Sequence, residues 1–180
     1  MKPKTSVYIA TSVDGFIARP DGGLDWLEHD SGNDDYGFHG FIASVDSMIL
    51  GRATYEQVLG SGVEWPYTGK HVIVPSTTLS AGDVPEELRG EVEIASGEPS
   101  ELLAILERQG FKHAYVDGGV TIQRFLRAGM IDELTITYIP VLIGDGIPLF
   151  GALDGDIKVR HLSTNSFDSG IVQSLYQVAR

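Results

Sequence analysis

The sequence predicts an α/β protein built on one mainly parallel sheet, with antiparallel strands added at its end. Three observations predict it. Strand-like and helix-like segments alternate over residues 5–129, an order that requires crossover helices between parallel strands. Three strand-like segments then follow with no helix between them. The 180 residues are 42% hydrophobic and 21% charged, which suits one soluble domain large enough to bury a core.

The elements follow in order. Residues 5–10 alternate about Val7 and Ile9 and read as a strand. Asp14-Gly15 and Asp21-Gly22-Gly23 signal turns. Residues 18–35 are polar and glycine-rich, with Trp26 and Leu27 as apolar islands; a loop of that length is usually functional. Phe38, Phe41, Ile42 and Val45 then fall at helical spacing over residues 36–45, with Asp34 and Asp35 at the start, where carboxylates cap free N–H groups. Residues 47–50 form a short buried strand closed by Gly51, and residues 53–59 a helix. Residues 71–74 are a strand stopped by Pro75, and residues 92–95 a weaker one. Pro99 opens a helix with Leu102, Leu103, Ile105 and Leu106 on its apolar face. Residues 114–116 are the next strand, and Ile122, Phe125 and Leu126 mark the helix after it. Residues 133–142, 157–162 and 170–178 are the closing strands. No repeat, low-complexity stretch or linker divides the chain.

Composition excludes several classes. A net charge of −12 is the wrong sign for a nucleic-acid binder or an anionic membrane surface, although a local pocket on an acidic protein can still hold an anionic cofactor. The absence of cysteine excludes disulfides, thiolate metal sites and cysteine nucleophiles. No apolar run is long enough to span a bilayer. Met1-Lys2-Pro3-Lys4 leads directly into a strand with no apolar leader, so a cytoplasmic protein is expected.

In open α/β sheets ligands bind beyond the carboxyl ends of strands. Four segments place small or hydroxyl residues there: Thr11-Ser12-Val13-Asp14-Gly15, Gly51-Arg52-Ala53-Thr54-Tyr55, Pro75-Ser76-Thr77-Thr78 and Asp117-Gly118-Gly119-Val120-Thr121. Gly118-Gly119 admits positive φ and close approach of a ligand, and the following helix offers N–H groups to an anion; a plain strand-to-helix turn explains the pair equally well. Arg52 supplies a planar fork for phosphate, or is a surface arginine beside a helix cap. Ser76 and Thr77 suit an adenosine ribose or its phosphate, or a hydroxyl-rich turn. Asp14 orients a substrate or closes an Asx turn, and Asp34 and Asp35 either cap a helix or touch substrate. Gly144-Asp145-Gly146 departs from the G-x-G-x-x-G fingerprint, because Leu149 and Pro148 stand where the third glycine and the helix should be. The histidines lack metal-ligand spacing, Asp154-Gly155-Asp156 lacks the rest of a calcium loop, and there is no G-x-S-x-G. No metal site is expected.

An ordered set of segments carries a family resemblance: Ser12-Val13-Asp14-Gly15-Phe16-Ile17-Ala18, Gly51-Arg52-Ala53-Thr54-Tyr55, Val116-Asp117-Gly118-Gly119, Met130-Ile131-Asp132-Glu133-Leu134, and Ile139-Pro140-Val141-Leu142-Ile143-Gly144-Asp145-Gly146-Ile147-Pro148-Leu149-Phe150. The sequence resembles the dihydrofolate reductase superfamily, most closely the branch containing the reductase domain of bacterial riboflavin biosynthesis. The resemblance covers nearly the whole chain. It implies a three-layer fold with a central, mainly parallel eight-stranded sheet, an antiparallel C-terminal strand and helices on both faces. It implies hydride transfer from NADPH to a pterin-, pyrimidine- or flavin-precursor-like heterocycle, and a homodimer.

By the same resemblance, Gly118, Gly119, Val120 and Thr121 hold the pyrophosphate with Gly51, Arg52 and Thr54. Ser76 and Thr77 meet the adenosine side. Ala10 and Thr11 line the nicotinamide, and Leu24, Trp26, Phe38 and Phe41 bound the substrate pocket. Asp14, Asp34 and Asp35 are the candidate catalytic carboxylates. The turn at Pro75-Ser76-Thr77-Thr78 lacks the basic residue that family members often carry beside the adenosine phosphate, so NADH is the alternative cofactor. The zinc motif of the riboflavin-pathway deaminase needs cysteine, so a stand-alone reductase domain is expected. A binding protein without turnover on the same fold is the alternative function.

Overall fold

The computed structural model describes residues 1–27 and 35–179. Asp34 and His29 fall outside the described residues. In chain order the elements are β1 (Lys4–Ser12), β2 (Phe16–Ala18), α1 (Phe38–Ser44), β3 (Ser47–Leu50), α2 (Arg52–Gly60), β4 (His71–Pro75), β5 (Val92–Ala95), α3 (Pro99–Gln109), β6 (His113–Asp117), α4 (Gly119–Arg127), β7 (Glu133–Ile139), β8 (Ile147–Pro148), β9 (Val159–Ser166) and β10 (Val172–Val178). Eight strands make one sheet in the order β5-β4-β3-β6-β1-β7-β10-β9, and β2 pairs with β8 apart from it. Neighbours from β5 through β7 are all parallel. β10 is antiparallel to β7 and β9 antiparallel to β10.

The three layers follow from the two-residue period of a strand. Ile49, Ile73, Ala114 and Val116 face one side, where Leu102, Leu103 and Leu106 of α3 and Ile122, Phe125 and Leu126 of α4 close over them. Met48, Leu50, Val72, Val74 and Tyr115 face the other, against Phe38, Phe41 and Ile42 of α1 and Tyr55 and Val58 of α2. Strands buried on both faces read as continuous apolar runs, which is why β3 and β4 are visible in the sequence.

The short strands β2 and β8 are not among the expected elements, and β7 ends at Ile139 rather than at residue 142; two further differences have clear causes. The first helix begins at Phe38 rather than at residue 36, because Tyr36 and Gly37 are left-handed, with φ of 53° and 87°. Strand β9 starts two residues later and ends four residues later than expected, and every residue of it is exposed. A strand with no buried face shows no hydrophobic alternation to read. Among the described residues no helix is long and apolar enough to cross a membrane.

Candidate active site

Parallel pairing brings the carboxyl ends of β1, β3, β4, β5, β6 and β7 to one edge of the sheet. At the middle of that edge α2 and α4 start side by side. The Gly51 amide donates to the Asp117 carbonyl at 2.9 Å. A Cβ on Gly51 would stand 2.8 Å from Thr121 Oγ1, and one on Gly118 would stand 3.1 Å from both Gly51 Cα and Thr54 Oγ1. Gly118 also has φ +96°, which a side chain would strain. These glycines therefore serve the chain's own packing, and they also leave an open backbone surface.

Neither of these nine-residue helices has a side-chain cap, with Gly51 and Gly118 as their N-caps. By contrast α3 closes its own start with a Glu98–Glu101 box, and a Ser80–Asp83 box caps the turn at Ala81–Asp83. An uncapped start leaves first-turn N–H groups for an outside acceptor. Val120, at the start of α4, is 72% exposed. Asp117 sits just before this junction and accepts the Gly118 N–H at 2.8 Å. Burial pushes its carboxyl up to about 6, against the opposing pull of that N–H.

On one side of the junction lies a cavity of about 350 Å³, lined by Arg52, Ser76, Thr77, Thr78, Ser96 and Arg124 among others. Its polar groups brace one another. Arg52 Nε donates to Glu56 at 2.8 Å and Nη1 donates to Thr78 Oγ1. Ser76 Oγ accepts the Thr78 and Leu79 amides at 3.2 and 2.9 Å. Arg124 Nη2 donates to the Gly97 carbonyl at 3.0 Å. Arg124 also lies 3.6 Å from Glu98, which lines the same cavity; each guanidinium has five N–H donors, and these contacts leave some of them for a ligand.

On the other side a cavity of about 280 Å³ opens between β1 and β7, lined by Tyr8, Ala10, Leu27, Asp35, Tyr36, Phe38, Thr137, Ile139 and Ile171 with Ile9. The Gln173 amide nitrogen, reaching from β10, lies 2.7 Å from Tyr8 Oη, 2.9 Å from Thr137 Oγ1 and 3.1 Å from the Tyr36 carbonyl. Tyr8 Oη also donates to that carbonyl. The left-handed Tyr36 is thus clamped, and Phe38 is set against Tyr8 at a centroid distance of 5.7 Å.

The sequence-derived residues sort as follows. Gly51, Arg52, Thr54, Gly118, Gly119, Val120 and Thr121 gather at the junction, and Ser76 and Thr77 line the arginine cavity. Ala10 lines the tyrosine cavity, whereas Thr11 is buried with its hydroxyl unpartnered among the described residues. Of the four substrate candidates only Phe38 is in the wall. Trp26 is buried behind it against Ile139 and Ile171, Phe41 stacks on Tyr8 at 4.7 Å, and Leu24 is exposed outside the lining.

Of the three candidate carboxylates, Asp34 lies outside the described residues and the other two are held by backbone amides. Asp14 accepts the Ile143 and Gly144 amides at 3.3 and 2.8 Å, outside both cavities. The Ser12 hydroxyl, with those amides, holds its carboxyl below the ordinary range against a smaller desolvation. Asp35 accepts the His39 and Gly37 amides at 2.8 and 3.0 Å and meets His39 Nδ1 at 2.5 Å, which holds it at about 2. It is a helix cap and a negative wall, without a proton to give at neutral pH. Arg124, Ser96, Tyr8, Thr137 and Gln173 carried no motif. Arg124 and Gln173 follow recognised segments, yet only the tertiary structure brings them to the cavities. No group of three or more His, Asp or Glu that could hold a metal occurs among the described residues.

Residues 3–173 match the family model of the RibD C-terminal domain, and the chain belongs to that family. It is 35% identical to the uncharacterized protein YwjB of Bacillus subtilis strain 168 over 173 residues, covering 95% of this chain and 96% of that one. Its fold matches a solved protein of Shewanella sp. PV-4 named for riboflavin biosynthesis with a TM-score of 0.91 and 38% identity, covering 98% of this chain and 99% of that one. It also matches a diaminohydroxyphosphoribosylaminopyrimidine deaminase/5-amino-6-(5-phosphoribosylamino)uracil reductase of Thermotoga maritima (TM-score 0.74, 16% identity, 99% of this chain and 57% of that one). Dihydrofolate reductase of Enterococcus faecalis, solved with NADP(H), shares the fold at TM-score 0.68 and 18% identity, covering 100% of this chain and 99% of that one. The fold is dihydrofolate reductase-like, a family architecture suggestive of reductase function.

Proposed function

We propose that this chain is an NADPH-dependent reductase of a small heterocycle. The observation that carries the reading is the uncapped, glycine-floored start of α2 and α4, set between an arginine-hydroxyl cavity and an aromatic one on a single sheet edge. From β4 to β1 that edge spans three strand spacings, roughly 14 Å, which suits an extended dinucleotide. The donor set fits the group. Gly118, Gly119, Val120 and Thr121 with Gly51 and Thr54 would hold the pyrophosphate. Arg52, Ser76, Thr77 and Arg124 would hold the phosphate-bearing adenosine end, and Ala10 with Thr11 the nicotinamide end. The two arginines restore, from α2 and α4, the charge missing in the turn after β4, and so favour NADPH over NADH.

The bound cofactor supplies a hydride. The chain's own residues orient the reacting rings: Tyr8, Phe38 and Ile139 wall the cavity, and Gln173 fixes the Tyr36 turn. Asp14 and Asp35 are each tied by two backbone amides, so the proton that balances the hydride comes from water.

Calorimetric titration with NADPH and NADH tests the reading. NADPH binds more tightly, and absence of binding of both at millimolar concentration overturns it. The tied carboxylates favour a second reading, a binding protein without turnover. Cofactor binding with no oxidation across pterins, pyrimidines and flavin precursors would support that instead. A homodimer belongs to the same proposal, with the exposed edge strand β9 as its contact, and sedimentation of the pure protein gives the mass.

A further inference from the structure

We infer that the substrate taken in the tyrosine cavity is an uncharged or cationic heterocycle carrying no phosphate, and that charge at the cavity wall makes the selection; the inference rests on the reductase reading. Of the described residues that line the cavity, Asp35 alone carries a full charge, and its oxygens are held by the Gly37 and His39 amides. No lysine or arginine is among the described residues that line it.

The neighbouring sequence is no richer in cations. Between Arg19 and Arg52 there is neither lysine nor arginine, while Asp21, Asp25, Glu28, Asp30, Asp34 and Asp35 are all acidic. That stretch reaches the cavity wall at Leu27 and again at Asp35, Tyr36 and Phe38. Arg19 is the cation nearest in sequence, and it is spent on Asp25 in a two-point bond of 2.6 and 2.8 Å. His39 is engaged by Asp35. Lys4 pairs with Glu133 at 2.7 Å, at the opposite edge of the sheet where β1 and β7 begin, and Arg160 bonds Gln177 near that same edge.

The contrast with the neighbouring cavity sharpens the point. Arg52, Arg124 and several hydroxyls line that cavity together with Glu98; the arginines are partly offset by Glu56 and Glu98, yet two cations face one carboxylate there, against a lone carboxylate among the described lining residues of the tyrosine cavity. A phosphate in the tyrosine cavity would meet the Asp35 carboxylate, whose one cationic partner, His39, is already engaged by it, and no lysine or arginine among the described lining residues. Juxtaposed like charges are strongly disfavoured at a binding surface and set specificity by rejection. The phosphoribosyl compound in the name of the Thermotoga maritima protein is therefore a poor fit for this chain, while the same ring without its phosphate is not excluded by charge.

The test is competition binding by saturation-transfer NMR on the NADPH-loaded full chain. The probes are uracil- and pterin-type rings, each as a neutral riboside, as its 5′-phosphate and as its 5′-amino analogue, with NADPH consumption followed in parallel. The neutral and amino forms bind at least about tenfold more tightly than the phosphate at low salt. The gap narrows at high salt, as screening requires, and narrows in Asp35→Asn, whose amide still caps the helix. Equal or tighter binding of the phosphate overturns the inference, as does a gap insensitive to both salt and Asp35→Asn, or failure of every uncharged ring to bind. Failure of NADPH to bind overturns the reductase reading instead, and the same competition on the unloaded chain still decides the charge preference.

Discussion

The arginine cavity and the tyrosine cavity share one sheet edge, yet their chemistry is opposite. The first is built from strand ends and helix starts in the parallel half, and its side chains already bond one another: Ser76 closes its own turn, Thr78 receives Arg52, and Arg124 holds the Gly97 carbonyl. The second lies where β1 and β7 meet the antiparallel β10, and one glutamine joins Tyr8, Tyr36 and Thr137 across it. Charge gathers in one cavity for an anion, and aromatic surface with a single carboxylate forms the other. On the proposed reading the two take different guests, and perturbing each alone tests that reading.

The largest effect is expected where the two halves join. Gly118→Ala places a methyl 3.1 Å from Gly51 Cα at φ +96°. Positive-φ strain and the forced separation of α2 from α4 together cost about 2–4 kcal/mol. Urea unfolding would show a lower midpoint at unchanged slope, and NADPH affinity would fall with it. A loss below about 1 kcal/mol would mean that the two helix starts are not locked together.

Next is the carboxylate beneath that junction. Burial raises Asp117 to about 6 from an ordinary 3.8, so the folded chain binds its proton more tightly than the unfolded chain does. Its ionisation therefore costs stability as pH rises from about 4 to about 6, and the cost is constant above that window. The full shift corresponds to at most about 3 kcal/mol. Asp117→Asn, which keeps an oxygen for the Gly118 N–H, would gain on the parent across that window and hold its advantage at pH 8. Parallel stability-pH curves for the two proteins would show that Asp117 is ordinary.

The arginines come third. Arg52→Ala and Arg124→Ala would each weaken NADPH by about 1.5–3 kcal/mol, the worth of a charge-assisted hydrogen bond. NADH would change less, and affinity for an uncharged substrate would stay put. Calorimetry in both cofactors separates these outcomes. Equal losses for NADPH and NADH would place the arginines on the shared pyrophosphate rather than on the extra phosphate.

Much of the first cavity was legible in the sequence because its parts are local. Gly118-Gly119 and Gly51-Arg52 each announce a strand end, a turn and a helix start within a few residues, and the parallel topology aligns them. Arg124 was not legible, since five positions into α4 it looks like any helix cation and only packing turns it toward Gly97. The second cavity depends on contacts between β1 and β10. Tyr8 and Gln173 stand 165 positions apart, and neither belongs to a pattern. Trp26 and Phe41 looked like pocket residues because they are aromatic and near the right loop, yet Trp26 is buried against Ile139 and Ile171 and Phe41 is half-buried on Tyr8. Asp35 looked like an acid, and the cap it makes on α1 keeps it ionised. The end strands were expected, but the span of β9 was not, because an exposed edge leaves no alternation to follow.

The smallest effect tests whether the tyrosine cavity is as preassembled as its neighbour. Gln173 touches three groups, and one of them is the carbonyl of the left-handed Tyr36. Gln173→Ala removes those contacts but leaves Tyr8 donating to the same carbonyl, so global stability would fall by only about 1 kcal/mol. The Tyr36 turn would lose one of two restraints, and with it the fixed position of Phe38. KM for the substrate would rise while NADPH affinity stays constant. Gln173→Glu separates geometry from hydrogen-bond polarity, because glutamate keeps the length but only accepts when ionised, and it would set a second negative charge behind the wall. A larger KM increase for Glu than for Ala would show that the donor matters more than the filled space. An unchanged KM in both would mean that the Tyr8–Tyr36 bond holds the turn unaided and that Gln173 serves only the sheet.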